Sequence, residues 1–433
     1  MFSKNVLNNA KWIVACKAAQ SILQMIIGLI SARYLGPANY GLIGYAKSVV
    51  GFAFPLMRLG LDGTLVKELT STPDQEGTIM GTSLIMSLLS AVFCIFGICT
   101  FVFFANPGET VTLIVCGLYS LSLLFGALEL MQYWFQYQLK SKYPSLAMLC
   151  AYVIVSIYKI YLLIAQKNIY WFALVNSIDY LIIGVLLLGI YRKLGAQKLS
   201  FSFSMVKRLF SSGRYFILAA MMLSMLQNTS PIMLKVMVGD TENGFYSAGI
   251  TSMCVCQFIY YAIVDSMRPA ILASKKDGSP EYKKNIVSLY SVIAYMTIAQ
   301  GIGFTIFAKL IISILYGSDY LAAVPVLQIL TWQVIFSVMG SIRDIVLLAE
   351  GKEKIIWKLN LAGALLNAGM NIFLIPRWGA CGAAFASLVT QIFTNFILGF
   401  LVPDLKENNR LLLQGLNPKF LLSWIAGRMQ KTA

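Results

Sequence analysis

The stretch "RYLGPANYGLIGYAKSVVGFAFPLMRLGLDG", residues 33–63, decides how the rest of the chain is read. It follows an apolar run of helix length, and by position it is the second crossing of a membrane. Yet it holds Arg33, a Gly-Pro turn, Lys47, Pro55, Arg58 and Asp62. These residues are ordered rather than scattered. Gly44, Lys47, Gly51, Pro55, Arg58 and Asp62 recur at steps of three and four, the spacing of one face of a helix. A charge at the bilayer centre costs roughly 2.5–3.5 kcal/mol on insertion scales. A helix that collects such residues on one face must turn it toward water or toward partners.

Working outward, the same habit fills the chain. Of 433 residues, 58% are hydrophobic and 12% charged, where a soluble domain carries about 25% charge. Apolar runs of span length recur from end to end, at 10–32, 41–62, 79–105, 110–137, 145–165, 170–192, 213–237, 244–268, 286–316, 321–349, 357–375 and 380–402. This predicts an all-α polytopic membrane protein of about 12 transmembrane helices. Lys17 and Gln24 interrupt the first run, which reads as an uncleaved span rather than a signal peptide.

The net charge of +16 raises the question of nucleic acid. Its placement answers no. With the N-terminus inside, 24 Lys/Arg fall in inner loops and tails, four in outer turns and six within spans. That is a positive-inside pattern, with both termini cytoplasmic. The eight Cys lie in or at apolar segments without a CxxC and read as packing residues, so no metal site or cofactor is expected. The absence of His removes His ligands and His-based proton relays.

The longest inner loop, 193–212, divides six spans from six. The expected domains are an N-terminal six-helix bundle over 1–192, a cytoplasmic linker over 193–212, a C-terminal bundle over 213–402, and a cytoplasmic tail over 403–433. That tail holds an amphipathic helix near 417–430. With an even number of spans both halves enter the membrane the same way round, so if they are repeats they are parallel repeats. "GPANYG" (36–41) and "GDTENG" (239–244) open the second span of each half.

Candidate functional residues are those that are costly in a span. Lys17, Lys47, Lys159, Lys235, Arg58 and Gln24 are candidates for substrate binding, because Lys and Arg recognise phosphates while Gln, Asn, Ser and Tyr suit sugar hydroxyls. Each of the four lysines also lies within snorkelling reach of a span end, so interface and cavity placements both stand. The in-span acids are Glu129, Asp179, Asp265, Asp344 and the terminal Asp62. The Asn stripe of span eleven (Asn360, Asn367, Asn371) reads equally as cavity lining or interhelical hydrogen bonding.

These motifs carry a resemblance. "RYLGPANYGLIGYAKSVVGF" with "RLGLDGTLVKEL", "VGDTENGFYSAGITS" and "IPRWGACGAAFASLVTQ" resemble bacterial polysaccharide repeat-unit flippases of the Wzx type. These belong to the multidrug/oligosaccharidyl-lipid/polysaccharide (MOP) exporter superfamily. The resemblance covers essentially the whole chain. It implies two six-helix bundles around a cationic cavity, alternating access in the cytoplasmic (inner) membrane, and an ion-coupled cycle that, with no His in the chain, would fall to Glu129, Asp179 or Asp265. The implied substrate is undecaprenyl-pyrophosphate-linked oligosaccharide destined for O-antigen, capsule or exopolysaccharide. It also implies membrane lipids, a polysaccharide polymerase and a chain-length regulator as partners. A multidrug or cation antiporter of the same superfamily, a lipid II flippase, and a polytopic polymerase or ligase are the competing readings. The first should prefer acids in its cavity, the second typically has two more spans, and the last calls for a large outer loop.

Overall fold

A computed structural model of the protein describes residues 4–195, 197–276, 279 and 281–418, with side chains from Met25 onward. Among the described residues it is helical throughout, without a strand. The helices are α1 (Lys4–Arg58), α2 (Leu65–Ser71), α3 (Glu76–Ala105), α4 (Thr110–Gly126), α5 (Met131–Tyr137), α6 (Lys142–Ile164), α7 (Ile169–Leu194) and α8 (Phe203–Val238). They continue with α9 (Asp240–Met253), α10 (Gln257–Lys276), α11 (Glu281–Tyr316), α12 (Ala323–Ala349), α13 (Ile356–Ile392), α14 (Leu398–Leu401) and α15 (Lys406–Gly415).

Nine stretches among the described residues are long and apolar enough to cross a membrane. The last of them, Glu353–Leu401, is two spans bent at Gly379. The long α1 is likewise two arms bent at Gly36. Eight single stretches, the two halves of the last and the two arms of α1 make the twelve segments expected. Gly36 (φ 71°, ψ 171°) and Gly239 (φ 102°, ψ −178°) occupy the same region of backbone space. Only glycine enters that region freely, which is the physical content of the weak repeat between "GPANYG" and "GDTENG".

The chain divides into two compact units, Met1–Ser224 and Met225–Ala433. In the first, α4 packs on α1, α3 and α7, and α6 joins α1 to α7. In the second, α12 packs on α9, α10, α11 and α13. Among the nine stretches, the two most buried apolar windows are those of the fourth span of each half, at 50% in Thr110–Tyr137 and 56% in Ala323–Ala349. A shared burial pattern at a shared ordinal position supports reading the halves as repeats.

Two boundaries differ from expectation. Helix α8 starts at Phe203, inside the stretch read as linker and before the expected start at 213. The residues ahead of it are docked against the start of α3. Ser200 N–H donates to the Gly77 carbonyl (3.2 Å), Gly77 N–H to Gln197 Oε1 (3.0 Å), and Ser202 N–H to Thr82 Oγ1 (3.1 Å). A Cβ at Gly77 or Gly81 would lie 2.3 Å from the carbonyl oxygen of Lys198 or Ser200, so the small-residue pair is what admits this chain. In the tail, an amphipathic helix occurs at Lys406–Gly415, before the stretch 417–430 whose residues from 419 lie outside the described residues. It packs on α11, where Asn408 Oδ1 accepts from Tyr290 Oη at 2.9 Å.

The end of α1 meets α8 backbone to backbone. Gly60 has φ 68°, and a Cβ there would sit 2.3 Å from the Gly213 carbonyl oxygen. Gly60→Ala therefore combines left-handed strain of roughly 1–2 kcal/mol with a forced separation of the two segments. Its midpoint of thermal unfolding in detergent should fall by several degrees. Gly97→Ala, in open space on a helical backbone, should leave the midpoint unchanged or raise it.

Candidate substrate-binding site

The first unit encloses a cavity of about 330 Å³ between α1, α4, α6 and α7. Lys47 comes from the second arm of α1, Tyr119 from α4, and Tyr152 and Lys159 from α6. Asn176, Asp179 and Tyr180 come from α7, where steps of three and four place them on one face. The backbone directions put the cavity near the turns that join these helices at Gly36 and Gln166. At 1.5 Å per residue, Lys47 and Asp179 lie roughly 15 Å from those turns, and Lys159 about half as far.

Two lysines and one aspartate make the lining net cationic. Among the described residues neither Lys47 nor Lys159 forms an ion pair, and Asp179 Oδ1 is buried without a hydrogen-bond partner. Two ammonium groups outside any ion pair suit a polyanion, which supplies several acceptor oxygens at once.

Beneath the cavity the chemistry changes. The Tyr180 ring packs on Phe54 (centroids 6.0 Å apart), and the Arg58 guanidinium lies 4.9 Å from the Phe54 centroid. Arg58 is 4% exposed and donates to Glu129 and to Asp62 Oδ1, the latter at 3.0 Å. Tyr133 Oη donates to the same Asp62 oxygen at 2.9 Å. Glu129 lies in the short tight-helical break between α4 and α5, Ala127–Leu130, which turns its carboxylate toward α1. Two sequence candidates, Arg58 for substrate and Glu129 for coupling, thus neutralise one another.

The remaining candidates lie elsewhere. In the second unit, Lys235 is 4% exposed with Nζ 3.0 Å from Asp240 Oδ2. Asp265 is exposed beside Arg268, at 3.5 Å. The side chains of Lys17 and Gln24 lie outside the described part of the structure. The Asn stripe of α13 resolves toward interhelical bonding. Asn371, fully buried, donates to Ser230 Oγ and Asn367 Oδ1 (both 3.0 Å), and Ser230 donates to Asn367 Oδ1 at 3.0 Å. The two glycine-turn motifs of the second half also meet: Glu242 Oε2 accepts from Ala380 N–H at 2.7 Å, capping the arm of α13 that follows Gly379. Tyr119, Tyr152 and Tyr180 were not singled out from sequence. The spacing of Asn176, Asp179 and Tyr180 was the available signal.

The polysaccharide biosynthesis protein family matches residues 6–275, well over half of the chain. The chain belongs to this family. Among curated proteins, it is 28% identical over 271 residues to an uncharacterized membrane protein of Methanocaldococcus jannaschii, covering 59% of this chain and 52% of that one. It is 22% identical over 249 residues to the teichuronic acid biosynthesis protein TuaB of Bacillus subtilis, covering 56% and 51%. The chain thus spans about half the length of the curated relatives it matches. Among solved structures, the lipid II flippase MurJ in an inward closed conformation superposes with a TM-score of 0.73 at 14% identity, over 96% of this chain and 92% of that one. An inward-facing multidrug resistance MATE transporter of the MOP superfamily superposes with a TM-score of 0.72 at 12% identity, over 91% and 96%. At these identities the likeness is one of fold. A polysaccharide biosynthesis protein with the MOP transporter fold is therefore a multi-pass membrane protein whose structural neighbours move molecules rather than transform them.

Within this family member the Arg58–Glu129 pair can be separated from the cavity by experiment. Removing one partner of a buried pair costs about 3–5 kcal/mol, because the other charge is left uncompensated. Arg58→Ala and Glu129→Ala should each lower thermal stability strongly in detergent. The Arg58→Met/Glu129→Met double variant should recover most of the loss, since Asp62 is half exposed and stays hydrated. A double variant as unstable as the worse single would show that the cluster is more than a neutralised pair.

Proposed function

We propose that this protein is a flippase. It moves undecaprenyl-pyrophosphate-linked oligosaccharide repeat units from the inner to the outer leaflet of a bacterial cytoplasmic membrane by alternating access, for surface polysaccharide biosynthesis. The observation that carries the reading is the cavity with Lys47 and Lys159 outside any ion pair among the described residues. A pyrophosphate presents several anionic acceptors, and charge-assisted hydrogen bonds contribute about 1.5–3 kcal/mol each. The family match and the fold likeness to MurJ support a lipid-linked substrate. The bias of Lys and Arg toward one side orients both termini to the cytoplasm in this reading.

The likeness to a multidrug transporter keeps a second reading in view. Cationic drugs are held by carboxylates, and here one aspartate faces two lysines. The balance of charge favours an anion.

Deleting the gene in its host and following lipid-linked oligosaccharide tests the proposal. Complete repeat units should accumulate on the inner leaflet, and wild type should restore delivery. Lys47→Ala and Lys159→Ala, expressed at wild-type levels, should each reduce delivery roughly tenfold or more, as loss of one charge-assisted contact implies. Normal delivery in the deletion strain, with no second transporter present, would sink the flippase reading.

A further inference from the structure

Asp179 is out of place in a site for phosphate. A carboxylate beside two lysines repels the anion that they attract, so phosphate binding alone gives no reason for it. Its Oδ1 is buried and takes no hydrogen bond. The groups around it line the cavity. Among the described residues the hydroxyls of Tyr119, Tyr152 and Tyr180 and the amide of Asn176 have no hydrogen-bond partner, although all line the cavity. The wall therefore offers one carboxyl group, one amide and three phenols, next to two lysine amines. Buried polar groups left in this state are completed by water or by a ligand.

The ligand that this wall suits has a definable chemistry. It must donate to Asp179, exchange hydrogen bonds with phenols and an amide, and sit beside an anion held by Lys47 and Lys159. A sugar attached to a pyrophosphate has all of these properties, whereas the polyprenyl chain has none. The cavity volume of about 330 Å³ lies at the small end of ligand sites, which run from about 300 to 1,000 Å³. It suits the portion of the substrate next to the phosphates rather than a whole oligosaccharide. Of the Tyr180–Phe54–Arg58 stack only Tyr180 lines the cavity, so a group lodged there meets the tyrosine and not the ion-paired Arg58.

We infer that Asp179, with Asn176 and Tyr180 on the same face of α7, determines specificity for the sugar next to the pyrophosphate. Its carboxylate accepts hydrogen bonds from hydroxyl or acetamido N–H groups of that sugar. This rests on the flippase reading. A site built to bond a substrate hydroxyl discriminates strongly against an analogue that lacks it, because its own polar groups are then left unpaired.

The test compares two probes binding to the full chain in phospholipid nanodiscs: undecaprenyl pyrophosphate, and undecaprenyl pyrophosphate bearing one N-acetylhexosamine. Wild type should bind the sugar-bearing probe at least tenfold more tightly. Asp179→Ala should lose that preference while binding the bare pyrophosphate as tightly as wild type or more so, since a negative charge has left the cavity. That retained binding also shows that the variant is folded. Asp179→Asn, which keeps one acceptor oxygen and the same shape, should show an intermediate preference. Lys47→Ala should weaken both probes by a similar factor and preserve the preference. Equal binding of the two probes by wild type overturns the inference and leaves the flippase reading standing. A sugar preference that survives in Asp179→Ala, with or without a changed response to an imposed proton gradient, also overturns it. Failure of wild type to bind either probe overturns the flippase reading itself.

Discussion

Arg58 and Lys47 stand on one arm of α1, roughly 16 Å apart along the helix, and meet the same constraint in opposite ways. An ionised group at bilayer depth has to be paired or wet. Arg58 is buried and held by Glu129 and Asp62. Lys47 opens onto the cavity. The pairing of Arg58 ties α1 to the break between α4 and α5, and its stacking on Phe54 supports Tyr180 as the cavity floor. The cation that is neutralised ties the helices together, and the cations outside ion pairs line the cavity.

The second unit uses the same elements differently. Lys235 is paired with Asp240, and Arg343 is consumed by Asp344, the Thr394 carbonyl and Asn395 Oδ1. That carbonyl belongs to a π-helical turn, Phe393–Ile397, where the regular backbone ladder is interrupted. Asn367, Asn371, Ser230 and Ser387 form a buried hydrogen-bond network at α13. In the first half Lys47, Asn176 and Asp179 line a cavity between α1, α4, α6 and α7.

Twelve helical segments, a division into halves and the choice of turn positions were all legible in the amino-acid order. Apolar run length, the sidedness of Lys and Arg, and glycines placed between spans are local properties. The hydrocarbon core enforces them, because each span must satisfy its own backbone. The docking of residues 197–202 was not legible. It depends on Gly77 and Gly81 offering backbone surface to a segment far away in sequence. The start of α8 at Phe203 was missed for a related reason: a polar helix outside the membrane has no hydropathy signal.

For the site, sequence alone established which residues were too costly to be incidental, because the energetic penalty of a charge in an apolar run depends on the run itself. Lys47, Lys159 and Asp179 were marked in that way, and so were Arg58, Glu129 and Lys235. Only the tertiary structure separated the two groups. Helical periodicity shows which residues share a face, but not what stands opposite that face. Placing α7 against α4 and α6 brings Asp179 to two lysines and three tyrosines, and placing α1 against the α4–α5 break brings Arg58 to Glu129. Whether a charge is a binding group or a structural pair is a property of its neighbours across space, and those are set by packing.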